Sequence, residues 1–395
     1  MSQELRTVLV LAAIGVVVAG LRSISARRDP APVDGVNVVG YLGTASGLGE
    51  RARELVACLR ADGVAVSEWP IDLDGADLPV VRKVTIAVVT AVQLASARER
   101  LPAPFVGAER LIGYFFWELG TVPDDQRWGV GMVDEIWAPT EFVREAYAAA
   151  TDRPVRLAPL PVAAPQPTLE SAARSPSEPF TFLASFDHLS VMERKNPVGA
   201  VVAFQRAFPT GDPSTPAVRL IVKTMNGARR PDAVARLHAA IGDDRRIELR
   251  DERLDVADQF ALIERADALI SLHRSEGLGL HLAEAMWLGT PVVATGYSGS
   301  VDLMDDSCAA LVRYELIPVR HGDDAYPDTA WWADPDLDHA AALMRRLVRD
   351  QPWRSGLVAA ARARMAAQPS RAATGSALAA LLSRAGRDAS DTPSR

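Results

Sequence analysis

Most of this chain alternates short apolar, β-branched runs with amphipathic stretches of helical period, and this alternation is the feature that most constrains its fold. The first set of strand-like runs covers residues 36–42, 84–89, 111–116 and 135–138, with helical stretches over 51–62 and 141–150. Such runs suit strands buried on both faces of a parallel sheet. Thr140 stands where a helix starting at Glu141 needs a side-chain oxygen for a free backbone N–H. The pattern breaks over AAPQPTLESAARSPSEP (163–179), a proline- and serine-rich stretch with no core-facing period. It then restarts, with strands over 180–185, 218–223, 246–249, 266–272 and 292–294, and helices over 197–208, 232–241, 256–265 and 280–288.

A chain of 395 residues exceeds one ordinary α/β domain. The expected class is therefore α/β, with two Rossmann-like βαβ domains facing each other across a cleft, where open parallel sheets bind ligands. The expected division is 1–33, an N-terminal apolar segment; 34–165, a first domain; 166–179, a linker; and 180–367, a second domain. Residues 368–386 form a C-terminal helix packing back toward the first domain, and 387–395 a disordered tail.

A formal net charge of −7 argues against nucleic-acid binding through a broad basic surface. Cys58 and Cys308 lie in apolar surroundings and read as buried small hydrophobes, which fits a reducing, cytoplasmic setting. The six histidines have no metal-ligand spacing. The acids of Asp72–Leu73–Asp74 and Asp334–Pro335–Asp336 read as loop acids, with no metal needed. Near the start, TVLVLAAIGVVVAGL (7–21) falls short of the ~20 apolar residues that a membrane span needs. A packed helix, a marginal anchor and peripheral membrane attachment through residues 7–21 all stay open.

The chemistry concentrates in ISLHRSEGLGLHLAEAMWLGTPVVATGYSGSVDLM (270–304). A buried strand delivers His273, Arg274, Ser275 and Glu276. Gly277 and Gly279 then permit a tight turn into a helix that holds Glu284. Free N–H groups at such a helix start attract phosphate, and a carboxylate further along can accept from two neighbouring hydroxyls. A glutamate in a helix otherwise lined by Leu280, Leu282, Ala283, Ala285 and Met286 calls for a partner. In SVMERKNP (190–197), Arg194 and Lys195 are placed to neutralise a departing anion, though a solvated basic pair reads the same.

The spacing of Glu276 and Glu284 resembles the E-x7-E motif of retaining GT-B glycosyltransferases, especially glycosyltransferase family 4 (glycosyl transferases group 1). The resemblance covers most of residues 36–350 and is strongest over 180–315. It implies a transferase moving a hexose from a nucleotide-diphosphate sugar to an acceptor hydroxyl with retention and without a metal. Glu276 would lie against the donor hexose, Glu284 would hold the ribose, and the N–H groups of Leu278 to Leu280 would meet sugar and phosphate. Lys195 and Arg194 would hold the diphosphate. A further arginine that many relatives carry near 185–187 is missing here, and its role falls to Lys223 or Arg274. The loop with Gly47 and Gly49 would close over the donor phosphates, and Ser298 and Gly299 would add backbone donors. Tyr114, Trp117 and Glu118 are acceptor-side candidates. The acceptor would be a carbohydrate, a lipid-linked sugar or a small molecule, as in cell-envelope glycan, glycolipid or glycoside synthesis. The alternatives are a GT-B-fold sugar-nucleotide epimerase or phosphorylase, or a non-catalytic sugar-nucleotide-binding homologue.

Overall fold

The structure is a computed structural model that describes residues 31–44, 46–72, 79–164, 178–319 and 326–388. The apolar run 7–21, Asp74 and nearly all of the linker lie outside the described residues. The first half runs β1 (Val33–Gly40), α1 (Gly47–Ala61), β2 (Val66–Pro70), β3 (Arg82–Val89), α2 (Leu94–Arg100), α3 (Ala103–Val106), β4 (Arg110–Phe115), α4 (Asp124–Gly131), β5 (Glu135–Ala138), α5 (Glu141–Ala148) and β6 (Val155–Leu157). The second runs β7 (Phe180–Asp187), α6 (Met192–Lys195), α7 (Pro197–Ala207), β8 (Val218–Met225), α8 (Pro231–Ile241), β9 (Ile247–Asp251), α9 (Val256–Arg265), β10 (Ala268–Ser271), α10 (Leu280–Leu288), β11 (Val292–Thr295) and β12 (Ala310–Val312). It continues through β13 (Tyr314–Pro318), β14 (Trp331–Pro335), α11 (Leu337–Arg349), α12 (Gln351–Ala366) and α13 (Arg371–Asp388).

The strands form two six-stranded sheets, in the orders β2-β1-β3-β4-β5-β6 and β12-β11-β10-β7-β8-β9, with every pairing parallel. This is the GT-B architecture of two Rossmann-like domains. Each sheet is apolar on both faces: Val39, Ala87 and Phe115 pack on one side of the first, and Val38, Ile86 and Tyr114 on the other. Local signals set several boundaries. Thr140 caps α5, accepting from the Val143 N–H at 3.3 Å. Gly279 and Gly289, at φ +82° and +81°, bracket α10 in conformations that glycine adopts without strain.

One element contradicts the sequence reading. Asp334 and Pro335 belong to no turn; they end β14, which pairs antiparallel with β13 in a hairpin inserted between β12 and α11. Asp336 accepts from the Asp338 and His339 N–H groups as the N-cap of α11. The last helix reaches Asp388, two residues into the segment expected to be a tail. Helix α13 lies on α1: Arg371 grips the Glu54 carboxylate through two 2.8 Å bonds, and Leu378 joins the apolar cluster of Leu55, Val56 and Leu59. Among the described residues no helix is long and apolar enough to cross a membrane.

The α13–α1 contact leaves no room at Gly375, where an added Cβ would stand 2.1 Å from the Cys58 carbonyl oxygen. Gly375→Ala should therefore push the helices apart and cost about 1–3 kcal/mol, despite the better helix propensity of alanine. Thermal melts check this, and a melting temperature at or above wild type would contradict it.

Candidate active site

In both sheets the chain reverses its direction of travel at an internal strand pair, β1/β3 in the first and β7/β10 in the second. Loops leaving such neighbours diverge and open a crevice at the carboxyl ends of the strands. The loops after β7 and β10 carry Arg194–Lys195 and Glu276 respectively. Sequence distance therefore says nothing about their separation, which the switch point makes short.

Asn196 ties the two loops together. At φ +50° its side chain accepts from the Gly199 N–H at 3.1 Å, capping α7, and its Nδ2 donates to the Leu272 carbonyl at 2.9 Å. The Arg274 N–H donates to the Arg194 carbonyl at 2.7 Å. Across this seam Lys195 Nζ lies 2.5 Å from Glu276 Oε1, and Arg194 Nη1 lies 3.2 Å from Oε2. Burial alone would raise the Glu276 pKa; the two cations outweigh it and hold the carboxyl well below the ordinary carboxylate range. Behind it, His273 is driven down to about 4 by burial and is neutral, bridging Ser271 Oγ at 3.0 Å and Ser300 Oγ at 3.2 Å.

The turn after Glu276 is pressed against the first domain. A Cβ at Gly277 would sit 2.7 Å from the Trp117 carbonyl, and one at Gly299 would sit 2.1 Å from the Gly277 carbonyl. Thr140 Oγ1 donates to the Gly277 carbonyl at 2.9 Å, and Ser275 Oγ donates to the Glu118 carbonyl. The N–H groups of Leu278, Gly279 and Leu280 meet no acceptor among the described residues. They form an open anion cradle at the start of α10.

Glu284, one helical face along, is buried, and its Oε2 has no partner among the described residues. Burial pushes its pKa up to about 7, with Glu50 of α1 adding to the rise and Arg51 opposing it. The carboxylate thus faces the glycine loop of the opposite domain and lacks donors that ligand hydroxyls would supply. In that loop Gly47 borders open space, whereas Gly49 serves the turn itself, since a Cβ would meet the Tyr41 carbonyl at 2.4 Å. Lys223, near the end of β8, is buried, and its ammonium has no hydrogen bond or ion pair among the described residues; burial lowers its pKa against the pull of Glu252, Asp187 and Asp251.

Several candidates are placed otherwise than expected. Tyr114 has no exposed surface: it lies in the core beneath the sheet, its hydroxyl donating to the Ala158 carbonyl at 2.9 Å. Alternation along β4 turns its ring into that core. The Trp117 ring is likewise buried, edge-on to Tyr326 at 5.6 Å, with Nε1 donating to the Thr121 carbonyl at 2.8 Å. Arg274 turns to the hairpin: its guanidinium binds Asp334 at 2.9 Å and the Glu193 carbonyl at 2.9 Å, and lies over the Trp332 ring. Ser298 and Gly299 lock the turn, Ser298 Oγ accepting from the Glu276 N–H at 2.8 Å and Gly299 N–H donating to the Glu276 carbonyl at 2.9 Å. Glu118 does reach the site, 3.7 Å from Arg194 Nη2 and one-third exposed. Asn196, Tyr326 and Trp332 escaped the sequence reading. Only Asn196 had a legible signal, a capping residue followed by Pro197 at the first helical position. Among the described residues no group of three or more His, Cys, Asp or Glu side chains could hold a metal ion.

Two facing Rossmann-like domains, with an anion cradle and paired cations at the second switch point, define the GT-B class of glycosyltransferases. The family model described as Family 4 Glycosyltransferase in conflict systems matches residues 139–378, and the chain belongs to this family. Among curated proteins none matches the chain. Of solved structures, Anabaena Alr3699/HepE in complex with UDP-glucose aligns at TM-score 0.61 and 15% identity, over 88% of this chain and 99% of that one. WaaG, a glycosyltransferase involved in lipopolysaccharide biosynthesis, aligns at 0.57 and 14%, over 88% of this chain and 100% of that one. S. aureus TarM, solved with UDP, aligns at 0.54 and 13% over 76% of this chain, which spans 55% of the TarM chain. At these identities the likeness is one of fold.

Glu284 yields a pH prediction. A carboxyl whose folded pKa rises from 4.5 to about 7 binds its proton more tightly when folded, so stability falls as pH climbs through this window. Glu284→Gln should thus be more stable than wild type at pH 8 by about 1–3 kcal/mol, the difference fading below pH ~5. Melting temperatures across pH decide it; a pH-independent difference would refute the buried, unpaired carboxylate.

Proposed function

We propose that the enzyme moves a hexose from a nucleotide-diphosphate sugar to an acceptor hydroxyl with retention at the transferred carbon. The observation that carries this reading is the Glu276 carboxylate held by Arg194 and Lys195 beside the open N–H groups of Leu278 to Leu280. A diphosphate at the α10 terminus would draw on those N–H groups and on both cations. Glu276 would be left facing the sugar hydroxyls, and Glu284 would accept from the ribose. In a front-side displacement the bond from the anomeric carbon to the phosphate oxygen breaks as the acceptor oxygen bonds to the same face. The acceptor proton passes to the departing phosphate oxygen, whose growing charge the cations stabilise. Glu118, reaching over from the first domain, is suited to orient the acceptor hydroxyl. Neutralisation by side chains and a helix terminus requires no metal in this scheme.

A thermal-shift screen with UDP, GDP, ADP and TDP sugars identifies the donor, because binding stabilises the fold by mass action. Stabilisation by none of them would overturn the reading. With the donor that binds, Glu276→Ala or Lys195→Ala should lower turnover by about two to four orders of magnitude, the size of losing a preorganised charge. Near-normal transfer by both variants would exclude the assigned roles. Transfer should also persist in excess EDTA, and abolition there would show that a metal takes part.

A further inference from the structure

Asp72, read from the sequence as a loop acid, has no place in the scheme above, yet it grips the glycine loop of the first domain. It lies just past β2, beside the loop that joins β1 to α1. Its Oδ1 accepts from the Gly43 N–H at 3.2 Å, and its Oδ2 accepts from the Thr44 hydroxyl. The other bonds of this loop stay within it or go to α1. Arg53 Nη1, on α1, donates to the Leu42 and Thr44 carbonyls at 3.0 Å each. The Thr44 N–H donates to the Tyr41 carbonyl at 3.3 Å, and the Ser46 N–H to the Thr44 carbonyl at 2.9 Å. Ser46 Oγ accepts from the Gly49 N–H at 3.2 Å. Among the described residues, Asp72 alone hydrogen-bonds residues 43–49 to a part of the domain outside the loop and its helix.

This loop leaves β1 at the switch point of the first sheet, as the Glu276 turn leaves β10 at that of the second. The N–H groups of Gly47 and Leu48, in the first turn of the 15-residue α1, meet no acceptor among the described residues. A Cβ at Gly47 would have nothing within 4 Å, so this turn borders open space. Such N–H groups attract phosphate, but ordering a chain with glycines at 43, 47 and 49 is entropically costly. We infer that Asp72 is a positioning residue for the transfer reaction, fastening the glycine loop so that the first turn of α1 stays aimed at the donor phosphates. A carboxylate suits the task, because its two oxygens accept from the N–H of one residue and the hydroxyl of the next. Two bonds fix the orientation of the loop as well as its position. Arg53 cannot take this part, since α1 carries that guanidinium along with the loop.

The test compares Asp72→Ala with Asp72→Asn in the full chain. Alanine removes both bonds. Asparagine keeps them, its Oδ1 accepting from the Gly43 N–H and its amide donating to the Thr44 hydroxyl oxygen. The inference rests on the proposed transfer reading, and two readouts separate their failures. In nucleotide release from UDP-, GDP-, ADP- and TDP-glucose, the donor kcat/KM should fall ~10-fold in Asp72→Ala, the size of one hydrogen bond to a charged group. Asp72→Asn should recover to within about threefold of wild type, which a role resting on charge alone would not allow. An unchanged kcat/KM in the alanine variant, or an equal loss in both variants, overturns the inference. If wild type releases nucleotide from none of these donors, the functional reading fails, and hydrogen–deuterium exchange over residues 41–49 decides whether Asp72 fastens the loop. Exchange there should quicken ~10-fold in Asp72→Ala and stay near the wild-type rate in Asp72→Asn. Equal exchange in all three proteins would overturn the inference as well.

Discussion

The site depends on one buried carboxylate shared by two cations that come from the other side of a topological switch point. Glu276 ends a turn after β10, Arg194 and Lys195 end a single helical turn after β7, and none of the three is far from full burial. Each charge alone would be costly in that position, and removing one partner would leave the others uncompensated. The cluster therefore ties the β7 and β10 loops together, where an anionic ligand is expected. Under the proposed function, an incoming diphosphate would meet cations already desolvated, with a helix terminus beside them.

Around this cluster the domains also meet through backbone, beside the Glu118–Arg194 pair and the Trp117–Tyr326 ring contact. Gly277 lies against the Trp117 carbonyl, Gly299 against the Gly277 carbonyl, and Thr140 caps its own helix while donating to the Gly277 carbonyl. Asp302 accepts from the Glu141 N–H at 2.7 Å, joining the same helix start to the next turn of the second domain. The glycines of the E-x7-E segment thus serve two ends. They let the chain turn into α10, and they let two domains approach closely enough for Glu118 and Glu276 to flank one guanidinium.

Much of this was legible in sequence wherever the determinant is local. Helices α10 and α9 fall residue for residue where the sequence pattern puts them; glycines bracket the first, and in the structure Asp255 caps the second, accepting from the Asp258 N–H at 2.8 Å. Glu284 stood out because a carboxylate in an apolar helix demands a partner, and Arg194–Lys195 because they follow a strand and precede a helix. Features made by pairing across distance were not legible. Strands β13 and β14 are five residues each; β13 has exposed Tyr314 and Leu316, and Asp334–Pro335 in β14 mimics a turn. Arg274 was a candidate for the role of the arginine missing near 185–187, but its guanidinium is drawn to Asp334 of β14 and to the Glu193 carbonyl, partners that no local pattern announces.

By itself, then, the sequence determined the two βαβ halves, the turn-and-helix geometry around Glu276 and Glu284, and the kinds of charge that such a site requires. These follow from period, capping and the cost of burying ions, all of which act within a few residues. Only the tertiary structure decided which charges meet. It sent Arg274 to the hairpin, withdrew Tyr114 and Trp117 into the core, and brought Glu118 to Arg194. Those choices depend on how strand order and domain contact fold distant segments onto one point, which no local pattern encodes.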